Sequence, residues 1–198
     1  MTETLIIIDI QNDFCPGGSL AVNEAEQIFL GVNAVAAKAK HVILTQDWHP
    51  ADHSSFASQH EGAAPFTQIE MPYGPQTLWP DHCIIGSKGA AFHAALDQSR
   101  AQLIIRKGFR KEIDSYSAFF ENDHKTPTGL HGYLQERGLK ELAFVGLAFD
   151  YCVRYSAEDA RSLGYGVTVI EHLTKAIDLG GTAAATRRSF AERGIVLA

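Results

Sequence analysis

Cys152 stands where a helix is expected to begin, and exposed backbone N–H groups at such an end favour thiolate over thiol. Asp9 closes the apolar run Leu5-Ile6-Ile7-Ile8, and Lys107 ends the strand-like stretch Gln102-Leu103-Ile104-Ile105-Arg106-Lys107. A carboxylate can take a thiol proton, and a nearby ammonium lowers the cost of the negative charge that results. That is the chemistry of covalent attack on a carbonyl. Taken singly, each residue has an ordinary role. Cys152 reads as a small buried hydrophobe, Asp9 as a tie for the loop after it, and Lys107 as a surface side chain leaving a strand. Together they answer one question, because a buried carboxylate is costly unless paired, and Lys107 is a suitable partner for Asp9.

A second cluster is Asp47-Trp48-His49, with His53 four residues on and His82 farther along. In extended chain, residues i and i+2 point the same way, so Asp47 and His49 can share one ion. His82 would complete two imidazoles and one carboxylate with open positions for water, a set that suits zinc, iron or manganese rather than calcium. The ordinary reading is a polar, His-rich loop. His41, His60, His93, His124, His131 and His172 are read as solvated or hydrogen-bonded residues. Two smaller features remain. The turn from Gly146 to Cys152 offers backbone N–H groups for an oxyanion. Phe14 and Trp79, beside the two clusters, could sandwich a flat ring or be plain core.

Positioning these groups falls to an alternating pattern of strands and helices. The run from Leu5 to Ile8 reads as a strand buried on both faces. A turn at Pro16-Gly17-Gly18 and a capping box at Asn23-Glu24-Ala25-Glu26 lead into a helix expected to reach about Lys40. Strands follow at His41 to Thr45, Gln102 to Lys107, Leu142 to Gly146, Val167 to Ile170 and Ile195 to Leu197. Helices are expected near Ala90 to Leu96, near Gly129 to Arg137, from about Cys152 to Leu163, and near Thr182 to Arg193. From Asp47 to about Lys88 periodicity disappears; this stretch holds Pro50, Pro65, Pro72, Pro75 and Pro80 but enough aromatics to argue for a folded pocket. The pattern predicts an α/β, three-layer, doubly wound sheet of about six parallel strands with helices on both faces. Residues 1–198 read as a single domain carrying an irregular insertion at about 47–88. Ligands bind beyond the carboxyl ends of such strands, and Asp9, Asp47, Lys107 and Cys152 all fall on that rim.

Composition narrows the classes. The net charge of −6 and the lack of a basic stripe argue against nucleic acid. No apolar stretch approaches the roughly 20 residues of a membrane span, and Met1-Thr2-Glu3 lacks a basic signal start. Cys15, Cys83 and Cys152 form no disulfide framework and no Cys-x-x-Cys pair, which fits a reducing, cytoplasmic setting.

The motifs Asp9-Ile10-Gln11-Asn12-Asp13-Phe14, Gln46-Asp47-Trp48-His49-Pro50, Trp79-Pro80-Asp81-His82-Cys83, Lys107-Gly108, Asp114 to Phe119, and Gly146-Leu147-Ala148 through Asp150-Tyr151-Cys152-Val153 stand in one order along the chain. In that order the chain resembles the nicotinamidase branch of the isochorismatase-like cysteine hydrolases. The resemblance implies a Rossmann-type fold and hydrolysis of nicotinamide to nicotinate and ammonia through a cysteine thioester, in NAD salvage, with pyrazinamide as a further substrate. It implies a triad of Asp9, Lys107 and Cys152, and an oxyanion hole from the N–H groups of Ala148 and Cys152 beside a cis peptide before Ala148. It implies one divalent metal on Asp47, His49 and His82, zinc ahead of iron or manganese. Phe14, Trp79, Ala148 and Tyr151 would contact the substrate. His53 aligns with a fourth ligand in some relatives and with none in others. Phe149 stands where some members carry Thr, which bears on pocket shape. Carbamoylsarcosine and ureidoacrylate amidases share the triad but not the metal set, and a non-catalytic pyridine or metal sensor would need no nucleophile. Homo-oligomerisation is left open.

Overall fold

The first strand, β1 (Thr4–Ile8), lies at the middle of the sheet and has no exposed residue. In the computed structural model, which describes residues 3–198, its side chains alternate between two cores. Leu5 and Ile7 point to one face, Ile6 and Ile8 to the other, and all four are at most 1% exposed. A strand buried on both faces reads as an unbroken apolar run, which is what the sequence has here.

Parallel partners flank β1 on both sides. They are β2 (His41–Asp47) and β6 (Glu141–Leu147), with β5 (Ala101–Lys107) beyond β2, and β7 (Gly166–Lys175) then β8 (Val196–Leu197) beyond β6. The order is β5-β2-β1-β6-β7-β8, with every pairing parallel. Helix α1 (Phe29–Ala36) covers the Leu5 face through Phe29, Val32 and Ala36. The Ile6 face is covered by α2 (Leu130–Glu136), α3 (Arg154–Ser162) and α4 (Thr182–Arg193), through Leu134, Ala160 and Phe190 among others. From β1 the strands are added outward through β2 to β5 on one side and then through β6 to β8 on the other, and the rim at that switch is where ligands bind in such sheets. Among the described residues, no helix is long and apolar enough to cross a membrane.

Four expected elements differ. The helix predicted from Asn23 to Lys40 is confined to α1, preceded by a 3-10 turn at Ala25–Ile28, and no side chain caps either. Glu24 takes a left-handed φ of 57° and an ion pair with Lys175, which breaks the capping box. No helix forms over Ala90 to Leu96. Its backbone is bonded instead to the loop after β1, with Asn12 N–H on the Ala91 carbonyl and His93 N–H on that of Ile10. The irregular stretch from Asp47 contains an antiparallel hairpin, β3 (Gln68–Met71) and β4 (Gly74–Thr77). Finally, β7 runs on to Lys175, because its register against β6 shifts between Phe144 and Gly146 and pairing resumes at Thr174.

Candidate active site

Asp9 is the first residue past β1, fully buried, with a φ of 47° that non-glycine residues seldom adopt. Gly146 makes room for this chain end on the neighbouring strand, since a Cβ there would come within 2.1 Å of the Ile8 carbonyl oxygen. Thr45, on β2, braces Asp9 twice. Its hydroxyl donates to Asp9 Oδ1 at 2.6 Å, and its oxygen accepts the Asp9 N–H at 3.2 Å. The other oxygen, Oδ2, pairs with Lys107 Nζ at 2.9 Å. The carboxylate can accept a proton there. Burial pushes the Asp9 carboxyl up and the Lys107 ammonium pulls it down; Asp47 adds to the upward push, and the balance is about 6.

Lys107 ends β5 and is 0% exposed. Beyond Asp9, its Nζ donates to Asp47 Oδ1, to the Ser115 carbonyl at 2.9 Å and toward Cys152 Sγ at 3.4 Å. Burial opposes its charge, but Asp47 and Asp9 outweigh burial and hold it protonated. Placing Lys107 beside Asp47 is a matter of strand register, because the two residues are paired partners across β2 and β5.

Cys152 does not begin the helix as expected but lies within a widened π turn over Phe149–Val153, which runs into α3 at Arg154. The Val153 N–H bonds back to the Ala148 carbonyl at 3.1 Å, five residues away. The expected preference for thiolate is reversed in the resting state. Burial pushes the thiol well above its ordinary value against the pull of Lys107, and Asp9 and Asp47, whose oxygens lie within 4.8 Å of Sγ, add to the rise. The pair therefore rests as thiol and carboxylate. The peptide bond between Leu147 and Ala148 is cis.

Asp47, His49 and His82 are all buried, with ligating atoms within 4.8 Å of one another. His49 Nδ1 bonds the Gly108 carbonyl and His82 Nδ1 bonds the Pro80 carbonyl, each at 2.8 Å. A carbonyl only accepts, so both Nδ1 atoms carry the proton and both Nε2 lone pairs are free. Those Nε2 atoms lie 3.7 Å and 3.9 Å from Asp47 Oδ2. The donor set fits a divalent ion. Burial and the neighbouring His49 bring His82 down to about 4, keeping it neutral as a ligand must be. Burial raises the Asp47 carboxyl but Lys107, His49 and His82 lower it more, leaving it below the ordinary range. Gly108 belongs to this arrangement: its φ is +68°, and a Cβ there would meet the His49 ring at 2.3 Å.

His53 does not join the set. Its Nδ1 faces Ser55 Oγ at 2.8 Å, its Nε2 faces the Ile113 carbonyl at 3.3 Å, and its ligating atoms group with those of His49 and Asp114 rather than with Asp47 and His82.

A largely apolar cavity joins both clusters, lined by Phe14, Trp79, Tyr151, Ala148, Cys152, Asp47 and His82, together with Leu20, Asp114, Tyr116 and Ile177. Trp79 and Tyr151 meet edge to face with centroids 4.9 Å apart, and Trp79 Nε1 donates to Tyr116 Oη at 3.1 Å. Sequence reasoning gave no role to Tyr116, Thr45 or Gln11. Gln11, also buried, pairs its side-chain amide with both the N–H and the carbonyl of Asp47 at 2.8 Å, extending the ladder past the end of β1. The available sign was its place at the head of the polar run Gln11-Asn12-Asp13, two residues after Asp9. Thr45 read simply as a β-branched strand residue.

Known proteins carry the same plan. A nicotinamidase from Acinetobacter baylyi is 52% identical over 178 residues, covering 90% of this chain and 83% of that protein. The structure of a nicotinamidase pyrazinamidase from Acinetobacter baumanii superposes with a TM-score of 0.98 at 49% identity, covering 99% of this chain and 95% of that one. A pyrazinamidase of Pyrococcus horikoshii in complex with zinc matches at 30% identity and a TM-score of 0.79, covering 100% of this chain and 99% of that one. The model of the isochorismatase domain matches residues 3–198, the same stretch that holds the sheet, the cavity and both clusters. This chain belongs to the isochorismatase family.

Proposed function

We propose that the chain is a nicotinamidase, hydrolysing nicotinamide to nicotinate and ammonia through a thioester on Cys152. The observation that carries this reading is the contact of Asp9, Lys107 and Cys152 beside the cluster of Asp47, His49 and His82, with Cys152, Asp47 and His82 lining one cavity. The triad alone would serve other amidases of the family; the two imidazoles and the carboxylate favour a substrate with a ring nitrogen. The likeness to nicotinamidases from the two Acinetobacter species supports the same choice.

In this reading the pyridine ring lies between Phe14 and Trp79, against Tyr151 and Ala148, with the carboxamide over Cys152. Asp9 Oδ2 takes the Sγ proton as sulfur attacks the amide carbon. The oxyanion is held by the N–H groups of Ala148 and Cys152, and Lys107 stabilises the negative charge on its neighbours. Asp9 then gives the proton to the departing nitrogen, and ammonia leaves a thioester behind. Water attacks the thioester as Asp9 takes its proton; collapse expels the cysteine sulfur, which recovers that proton, and nicotinate is released. Asp47 Oδ2 and the Nε2 atoms of His49 and His82 would hold one divalent ion, zinc by likeness to the Pyrococcus neighbour, which supplies positive charge for the ring nitrogen. The free, buried cysteines accord with a reducing, cytoplasmic setting.

Incubating the pure protein with nicotinamide and measuring ammonia tests the reading directly, with pyrazinamide as a second substrate. Nicotinamide binding without ammonia release would replace the enzyme with a pyridine sensor.

A further inference from the structure

Asp13 belongs to neither the triad nor the metal set, yet its carboxylate ties the segment that carries Phe14 to the segment that carries His82. It sits in the 3-10 turn Asn12–Phe14, and its Oδ2 accepts the N–H of Cys83 at 2.7 Å. Cys83 follows His82 and has a φ of 47°, a conformation that non-glycine residues keep only when their surroundings enforce it. The carbonyl of the same residue accepts the N–H of His49 at 3.0 Å. One residue thus links the two imidazole-bearing segments, and one carboxylate fixes that residue.

Asp13 is itself held in place. Its N–H donates to the Gly89 carbonyl and its carbonyl accepts from Leu20, both at 3.0 Å, while Oδ1 accepts the Ser19 N–H at 3.4 Å. The carboxylate fills the space a side chain at position 89 would need, since a Cβ on Gly89 would lie 2.0 Å from Oδ2. Next to Asp13, Phe14 lines the cavity with its ring centroid 5.5 Å from that of His82.

We infer that Asp13 is a positioning residue for metal binding: by accepting the Cys83 N–H it sets how His49 and His82 present their Nε2 atoms, and it ties that geometry to the Phe14 wall. The inference rests on the metal role proposed above for Asp47, His49 and His82. Outer partners that orient ligands typically change affinity ten- to a hundredfold when removed.

The test is zinc affinity, measured without substrate by competition against a chromophoric chelator on protein stripped of metal. Asp13→Ala should bind zinc about ten- to a hundredfold more weakly than the parent. Asp13→Asn should stay near the parent, because its amide oxygen can accept the same N–H. Gly89→Ala should resemble Asp13→Ala, because the new methyl displaces the carboxylate without removing it. In assays with nicotinamide, KM should rise more than kcat falls in Asp13→Ala. Should Asp13→Ala fail to fold, Gly89→Ala and Asp13→Asn decide. Parent-like zinc affinity in Asp13→Ala, or in Gly89→Ala where the former is unfolded, overturns the inference; so does an Asp13→Asn protein clearly weaker than the parent. A parent protein that binds no zinc at all would defeat the metal reading itself, and this inference with it.

Discussion

Lys107 and Asp47 form a buried ion pair that joins the two clusters of the site. The same ammonium stands 2.9 Å from Asp9. One cation therefore serves two carboxylates, one assigned to proton transfer and the other to a metal, and neither is more than 5% exposed. Triad and metal set are coupled through a single side chain.

Lys107→Met keeps the length of the side chain and removes the charge, leaving two carboxylates buried without their cation. Removing one partner of a buried pair costs about 3–5 kcal/mol. We expect a loss of stability of that order in urea titration, alongside lost turnover. A Lys107→Met protein as stable as the parent would mean that the carboxylates do not depend on the ammonium.

Cys152→Ala separates chemistry from structure. It deletes one sulfur atom and leaves the Lys107 pairs in place, so cooperative unfolding should persist. Ammonia release from nicotinamide should fall by at least about ten-thousandfold, as losing a nucleophile does in comparable enzymes. Residual turnover within tenfold of the parent would move the nucleophile elsewhere.

Stripping the metal should weaken binding of nicotinamide and nicotinate, and His82→Ala should do the same. Calorimetric titration of nicotinate into chelator-treated protein reads this without any turnover. Equal affinity in protein verified as metal-free would remove the proposed role toward the ring nitrogen.

The sheet was legible because its central strand is buried on both faces, and Leu5 to Ile8 is apolar at every position. Asp9 could be placed for the same reason, since it marks where that run gives way to charge, whereas Lys107 was placed as the last residue of the strand-like stretch from Gln102. What sequence could not show is pairing across strands. Lys107 meets Asp47 through the register of β5 against β2, and Thr45 meets Asp9 between neighbouring strand ends. The helix expected at Ala90 to Leu96 failed for a related reason. Local pattern favours it, but the Ala90 carbonyl is claimed by the amides of Gln11 and Gln46, 79 and 44 residues away in sequence. The protonation state of Cys152 was misread because a helix start was weighed without the burial of the thiol and the two carboxylates near it.

As the proposed base, Asp9 should set the acid limb of the pH profile. It must be ionised to take the thiol proton, and burial against the pull of Lys107 places it at about 6. Below that pH, kcat/KM should fall about tenfold per unit as the carboxylate protonates. Above it the limb should be flat until other groups titrate. A profile still flat at about pH 5 would exclude Asp9 as the base.

Thr45 tunes that limb. Its hydroxyl donates to Asp9 Oδ1 at 2.6 Å and so favours the charged carboxylate. Thr45→Val keeps the β-branched shape while removing the donor, and it also takes away the acceptor of the Asp9 N–H. A hydrogen bond to a charged group contributes about 1.5–3 kcal/mol, and one pKa unit corresponds to about 1.4 kcal/mol. The acid limb should therefore move upward by about one to two units, to about pH 7–8, with kcat/KM at high pH little changed. If only stability falls and the limb stays near 6, Thr45 braces the backbone of Asp9 and does not set its proton affinity.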